Sequence, residues 1–275
     1  MRISAKNSLF QEWLALKTNR NKRHKLGQFL VEGTSAIDAA VRHGWGIEAL
    51  VYPARRNLSD WARAHIASGV ARRQVEMEPE LLGELTERHE GTELLAVVEQ
   101  REASLGELAL REPWLVLVLD RPKSPNNVGT VARSAVSFDA AALVLTGHAA
   151  DPFDPACVRA SVGTLFDLPL VRLASNEPLI AWLGEQRRER PITLVGTGDR
   201  GTEDLASVEL SGNVVLALGN ESHGLSQSYR DACDAFVRVP TSPRHSSLNV
   251  AAAAAILLYE ARRQRLAKAA SGAPG

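Results

Sequence analysis

Unbroken apolar runs alternate with amphipathic stretches along most of this chain. Near-continuous apolar residues from Trp114 to Leu119, ending on Asp120, predict a strand buried on both faces, as in a parallel sheet. Further strands are predicted at residues 142–146, 170–173, 192–195, 214–218 and 236–239, with helices between several of them, notably 178–188. A long Ala-rich helix over 248–266 closes this half. Upstream, short strands at 28–32, 47–51, 73–77 and 94–98 alternate with helices at 34–43, 58–68 and 79–85, the last with Pro79 in its first turn. Ile37 and Val41, four apart with Ala40 beside them, give the first of those helices its apolar face. The pattern is a small α/β domain, then a polar linker over 101–112, then a larger α/β domain with a parallel sheet over 113–268. The chain contains no internal repeat, and 269–275 reads as a disordered tail.

Composition sharpens the picture in a few places. With 275 residues, 45% hydrophobic and 23% charged, the chain can build one large core or two modest ones. No apolar run approaches the roughly 20 residues that span a bilayer, so no membrane association is expected. Met1 to Lys6 leads into no apolar core of a secretory leader, which points to a cytoplasmic protein. Cys157 and Cys233, the only cysteines, lack zinc spacing and are expected to be reduced structural thiols, with no metal. Lys and Arg (32) balance Asp and Glu (32), so net charge does not single out a partner. The distribution is more informative. Residues 1–27 carry Arg2, Lys6, Lys17, Arg20, Lys22, Arg23 and Lys25 against Glu12 alone. They read as a basic arm in which Arg20, Lys22, Arg23 and Lys25 could contact phosphates, or as a solvated arm with no partner. Arg262, Arg263, Arg265 and Lys268 suit the negative end of the last helix dipole and carry no separate signal.

Three distant segments carry the chemistry, and each follows a strand-like run. Asn126 to Arg133 comes after Pro125, which disfavours helix before it, so Asn126 or Asn127 is expected to cap a helix reaching about Phe138. Arg133 then lies nearly two turns along that helix among Val131, Ala132 and Ala135, as a functional group or a surface ion pair. In the second segment, Gly219 and Gly224 bracket a tight loop holding Asn220 and Glu221, a carboxylate just past a buried strand. The third, Ser246 to Asn249, opens the last helix; a serine cap explains one hydroxyl but not the amide of Asn249. Carboxyl ends of strands in an open α/β sheet are where ligands bind, so three such ends suggest one composite site. Gly196 to Gly201 fits G-x-G-x-x-G, but the short acidic stretch 202–210 cannot supply the helix that a dinucleotide turn requires. His223 and His245 read as ordinary loop residues.

In this order the segments resemble the TrmH/SpoU family of the SPOUT superfamily, RNA ribose 2′-O-methyltransferases. The likeness rests on Asn127, Gly129 and Arg133 (N-x-G-x-x-x-R), on Gly219, Asn220, Glu221 and Gly224, and on Pro240 followed by Ser247, Leu248 and Asn249. Residues 28–100 look like that family's L30e-like substrate-binding domain. Phe10 to Trp13, Asn19 to Arg23, Phe29 to Val31 and Thr146 to Asp151 look most like its avilamycin-resistance branch, which acts on 23S rRNA. The resemblance implies a SPOUT-type parallel sheet with a C-terminal trefoil knot, S-adenosylmethionine (SAM) bound in the knot, and a homodimer with sites at its interface. It implies that Arg133 is essential for transfer and that Asn127, Glu221, Ser247 and Asn249 support it. Gly219, Val239 and Leu248 match positions whose backbones hold SAM. Thr197 and Gly198, whose turn can bring backbone close to a ligand, and Asn220, Gly224 and Pro240 complete the expected cofactor set. One departure is visible: Thr241 and Pro243 stand where the family has Met and Gly, so cofactor contacts through that loop are expected to differ. The rival reading is a non-catalytic RNA-binding protein that kept the fold.

Overall fold

Apolar alternation and β-branched runs build two sheets, each the core of one unit. The computed structural model describes residues 1–86, 92–242 and 248–271. One unit comprises residues 1–101 together with 151–167, and the other residues 102–150 with 168–275. The segment 151–167 therefore belongs with the N-terminal unit, although the sequence places it in the second domain.

The first unit contains β1 (Arg2–Ile3), α1 (Ser8–Thr18), α2 (Arg20–Leu26), β2 (Gln28–Glu32), α3 (Thr34–Arg42), β3 (Ile47–Pro53), α4 (Asp60–Ala67), β4 (Ala71–Met77), α5 (Pro79–Leu85) and β5 (Leu95–Glu99). Its sheet runs β1-β4-β3-β5-β2, with β5 antiparallel to both neighbours. The expected basic arm is in fact folded. Phe10, Trp13 and Leu16 recur at helical spacing on α1 and are buried in the core with Val51, Val75 and Val97. Asn7 and Asn19 cap α1 and α2 through their side chains, accepting from Phe10 N and Lys22 N. The net basic charge of residues 1–27 hid an amphipathic helix whose apolar positions were present in the sequence.

In the second unit, β6 (Leu115–Asp120), α6 (Pro125–Ser137) and β7 (Ala142–Thr146) come first. The chain then contributes α7 (Pro155–Ser161) to the first unit and returns as β8 (Leu170–Leu173), α8 (Glu177–Gln186), β9 (Thr193–Thr197), β10 (Glu203–Asp204), β11 (Val214–Leu218), α9 (Gln227–Ala232), β12 (Ala235–Arg238) and α10 (Val250–Ser271). All seven strands are parallel, in the order β10-β12-β9-β11-β6-β7-β8. β6 and β11 are buried along their whole length, which is why both read as continuous apolar runs. The expected linker is partly packed: Ala103, Leu105, Leu108 and Leu110 lie against the core, and Ala103 bridges Val171. No helix follows β9; a two-residue strand does, so the glycine-rich turn there is not a dinucleotide turn. Among the described residues, no helix is long and apolar enough to cross a membrane and no metal-ligand cluster occurs.

Arg23 corrects the expected phosphate-contact set. It is 2% exposed. Its Nε donates to Asp151 Oδ2 at 2.7 Å, its NH2 to Asp154 Oδ2 at 3.0 Å, and its NH1 to the Leu16 carbonyl at 2.8 Å. Asp154 also caps α7 through Ala156 N. Phe29, Trp45, Phe153 and Phe166 pack around the same segment, and Trp45 Nε1 donates to the Phe166 carbonyl at 3.0 Å. Arg23 thus fastens residues 151–167 to the first unit and has no surface to offer a phosphate.

Candidate active site and cofactor cleft

The strand order of the second unit reverses at β6. From it the chain moves outward to β7 and β8, then crosses back to build β9, β11 and β12 on the other side. Such a reversal opens a crevice at the carboxyl ends of the neighbouring strands. The turn after β6 and the loop after β11 meet there.

α6 begins two or three residues earlier than expected. Ser124 is its cap, accepting from Asn127 N at 3.3 Å, and Pro125 takes the first helical position, where its missing N–H costs nothing. Asn127 is therefore inside the first turn with its amide free to reach outward. Its Nδ2 donates to Glu221 Oε1 at 2.9 Å, and its Oδ1 accepts from Asn249 Nδ2 at 3.2 Å. Glu221 Oε2 accepts the backbone N–H of Lys123 at 3.1 Å. Asn249 also caps α10, its Oδ1 accepting from Ala251 N at 2.8 Å, so the cap of that helix is an amide and not a serine. One chain of side chains thus joins all three sequence segments. Ser247 and Pro243 lie outside the described residues.

The loop 219–226 is held by its own side chains. Asn220 Oδ1 accepts from Ser222 N and His223 N at 2.9 and 3.2 Å, and Asn220 and Gly224 exchange backbone hydrogen bonds. Gly219 is obligatory: a Cβ there would lie 2.0 Å from Leu225 N, because the loop doubles back onto the strand end. Burial acts to raise the Glu221 carboxyl, but hydrogen bonds from Asn127 and from the backbone of Glu221, Lys123 and Ser124 outweigh it. The net effect holds Glu221 below the usual carboxylate range. At neutral pH it is an acceptor-only anchor, poorly suited to take a proton from a hydroxyl. Burial pushes the Cys233 thiol up to about 11, so it takes no part as a thiolate.

Beside this junction lies a cleft of about 1090 Å³, at the ends of β9, β11 and β12 and against the start of α10. Thr197, Gly198, Gly219, Asn220 and Gly224 line it, as do Val239, Pro240 and Leu248. Glu221 and Asn249 stand at the same cleft; Asn127 and Arg133 are not among its lining residues. Sequence reasoning missed Leu225, Leu257, Arg230 and Arg200 in its wall. Leu225 and Leu257 belong to ordinary apolar patterns and gave no sign of a ligand. Apolar side chains from Leu218, Leu225 and Leu257, short polar loops, and the exposed guanidinium of Arg200 fit a ligand with an aromatic base and a zwitterionic amino-acid tail.

Arg133 is placed differently from the rest. It lies six residues after Asn127 on α6, about 120° around the helix axis from it. It is exposed along with Asn126, Thr130 and Ser137, and no described residue accepts a hydrogen bond from its guanidinium. Within one chain it does not join the Asn127–Glu221–Asn249 set.

An all-parallel sheet with a polar junction at its switch point and a deep cleft alongside defines an α/β protein that binds a nucleotide-like cofactor at its strand ends. Comparison with known proteins narrows this. The SpoU rRNA Methylase family model matches residues 114–259, and the SpoU L30e-like domain matches residues 7–96. The chain belongs to the SpoU rRNA methylase family. It is 44% identical over 267 residues to a 23S rRNA (uridine(2479)-2′-O)-methyltransferase of Streptomyces viridochromogenes, covering 96% of this chain and 93% of that one. Its fold matches the crystal structure of the SpoU methyltransferase AviRb from the same organism in complex with the cofactor AdoMet, which is SAM. The TM-score is 0.88 at 42% identity, covering 95% and 100% of the two chains. An AdoMet-bound rRNA methyltransferase from Sinorhizobium meliloti matches with a TM-score of 0.83 at 30% identity, covering 96% and 97%.

Proposed function

We propose that this chain transfers the methyl group of SAM to the 2′-oxygen of a ribose in rRNA, with 23S rRNA as the substrate. It acts as a homodimer in the cytoplasm, with a C-terminal trefoil knot around the cofactor. The observation that carries this reading is the junction Asn127–Glu221–Asn249 at the rim of a cleft lined by the expected cofactor residues. The relatives' activities and the AdoMet in two of the matching structures give the same direction.

When bound, SAM supplies an electrophilic methyl group on a sulfonium. The chain's own work is to hold the acceptor ribose and manage its proton. Thr197, Gly198, Gly219, Asn220, Gly224, Val239, Pro240 and Leu248 would line the cofactor. Glu221 stays ionised and fixes Asn127, which in turn orients Asn249 at the head of α10. Ser247 would join this set. A guanidinium is a poor free base, so Arg133 is not assigned the proton. Its role is to pair with the phosphate beside the target ribose or to stabilise the developing alkoxide. A phosphate oxygen or another polar group would take the proton.

A homodimer accounts for the position of Arg133. Ala252, Ile256 and Tyr259 form one exposed stripe on α10, which packs on α6. Ile256 is 38% and Tyr259 56% exposed, and Phe138, just after α6, meets the Tyr259 ring. A partner chain covering this face would bring its own Arg133 toward the cleft of the first. The L30e-like unit would grip RNA by shape and phosphate, with Arg20, Lys22 and Lys25 of α2 as contacts in place of the buried Arg23.

Ribose-methylation mapping of rRNA from cells with and without the protein tests the proposal. One 23S ribose is expected to lose its methyl group in the deletion and regain it on complementation. An unchanged rRNA map would overturn it, and calorimetry showing no SAM uptake would favour the non-catalytic alternative.

A further inference from the structure

The loop 219–226 carries Glu221 and forms one wall of the cleft; Leu225 seats its far end in the core, but its tip, Glu221, Ser222 and His223, is exposed and has no apolar anchor. Beyond the hold of Asn127 and Lys123 on Glu221, further polar contacts fix the two ends of the loop. They converge on two consecutive residues at the end of β6 that the catalytic reading leaves without a role. Asp120 is 2% exposed. Its Oδ2 accepts the Ser226 N–H at 2.9 Å, at the far end of the loop. Its Oδ1 accepts from Thr146 Oγ1 at 3.2 Å. Arg121 meets both carboxylate oxygens, Nε to Oδ1 at 3.1 Å and NH2 to Oδ2 at 2.9 Å, and the same NH2 donates to the Gly224 carbonyl at 3.2 Å. At the near end of the loop, Asn220 Nδ2 donates to the Arg121 carbonyl at 2.6 Å.

Arg121 makes these contacts from a left-handed backbone conformation, φ 53°, which is unfavourable for a non-glycine residue and persists only where the surroundings enforce it. Its side chain is seated by Gly147, where a Cβ would lie 2.6 Å from Arg121 Cγ. A buried carboxylate, a strained arginine and a glycine that makes room for it are thus arranged to grip both ends of one exposed loop.

Building on the reading of the cleft as the SAM site, we infer that Asp120 and Arg121 are positioning residues. They staple the loop 219–226 to β6 and so pre-set both Glu221 and the cofactor-facing wall. A loop already held in its bound shape need not be ordered when the cofactor enters, and cutting the staple moves that cost into the binding step. The loss falls on cofactor affinity and on KM for SAM, while the two buried strands keep the fold.

The test uses full-length protein with Arg121→Ala, and Arg121→Lys as a milder second variant. A lysine can reach Asp120 but cannot hold both carboxylate oxygens and the Gly224 carbonyl together. Hydrogen exchange at amides 220–226 is expected to quicken at least tenfold in Arg121→Ala, with β6 and β11 amides still protected. Calorimetry should show the SAM dissociation constant raised about tenfold, with KM for SAM rising in parallel and kcat changing less. Arg121→Lys should fall between the two. Unchanged loop exchange and SAM affinity in both variants would overturn the inference. So would uniform loss of protection with wild-type SAM affinity in the folded fraction, which marks a merely structural pair. Failure of the wild-type chain to take up SAM would overturn the reading of the cleft instead, and loop exchange would still decide the staple.

Discussion

At the scale of single residues, the site separates groups that anchor from the group proposed to act. Glu221, Asn127 and Asn249 are tied to one another, whereas no described residue accepts a hydrogen bond from the Arg133 guanidinium. Arg133→Ala is therefore expected to lower methylation to background while calorimetric SAM affinity stays within about threefold; normal turnover in that variant would remove the proposed role. The low carboxyl of Glu221 has a pH consequence with a definite sign. A group whose folded pKa is depressed contributes above its unfolded value, about 4.3, and loses that contribution as pH falls through the folded value. Between pH 5 and 9 the Glu221 carboxylate should stay ionised, so carbon-detected NMR should place its titration below the normal glutamate range. A titration near pH 6 would mark it as a proton acceptor instead. The residue types at these positions were legible in the sequence because each stands at a strand end among small residues. The free orientation of Arg133 was not, since it depends on where α6 starts, and Ser124 with Pro125 moves that start.

At the scale of elements, α2 divides its cations. Lys22 and Lys25 point to solvent, while Arg23 closes a buried pair with Asp151 and Asp154. Removing one partner of a buried pair costs about 3–5 kcal/mol, because the other charge is left unpaired. Arg23→Ala should lose about that much in urea unfolding, whereas Lys22→Glu with Lys25→Glu should leave the midpoint unchanged. The double charge reversal should instead weaken rRNA binding and flatten its dependence on salt. If RNA affinity is insensitive to it, α2 is not in the RNA interface. The helical character of 8–18 was present in Phe10, Trp13 and Leu16 and in the Asn7 cap, but the surrounding charge masked it. Apart from the two-residue β1 and β10, the strands of both sheets were plain from their apolar runs, with edges shifted by one or two residues.

At the scale of the whole molecule, the proposed homodimer can be tested through the exposed stripe on α10 and through Arg133. Ile256→Glu with Tyr259→Glu is expected to give a monomer by sedimentation velocity and to abolish methylation. Mixing Arg133→Ala protein with Glu221→Ala protein should restore part of the activity if the arginine acts across the interface; no restoration would place both groups in one chain. The sequence by itself determined most of the strands and helices, the parallel sheet and the strand ends that bring Asn127, Glu221 and Asn249 together, because periodicity and strand-end chemistry are local properties. Only the tertiary structure decided that residues 151–167 join the first unit, that Arg23 is buried, and that Asp120 and Arg121 grip a loop about 100 residues further on. Those outcomes rest on partners far apart in the chain, as with Arg23 and Asp151, 128 residues apart, and a long-range pairing leaves no mark on the periodicity of either segment.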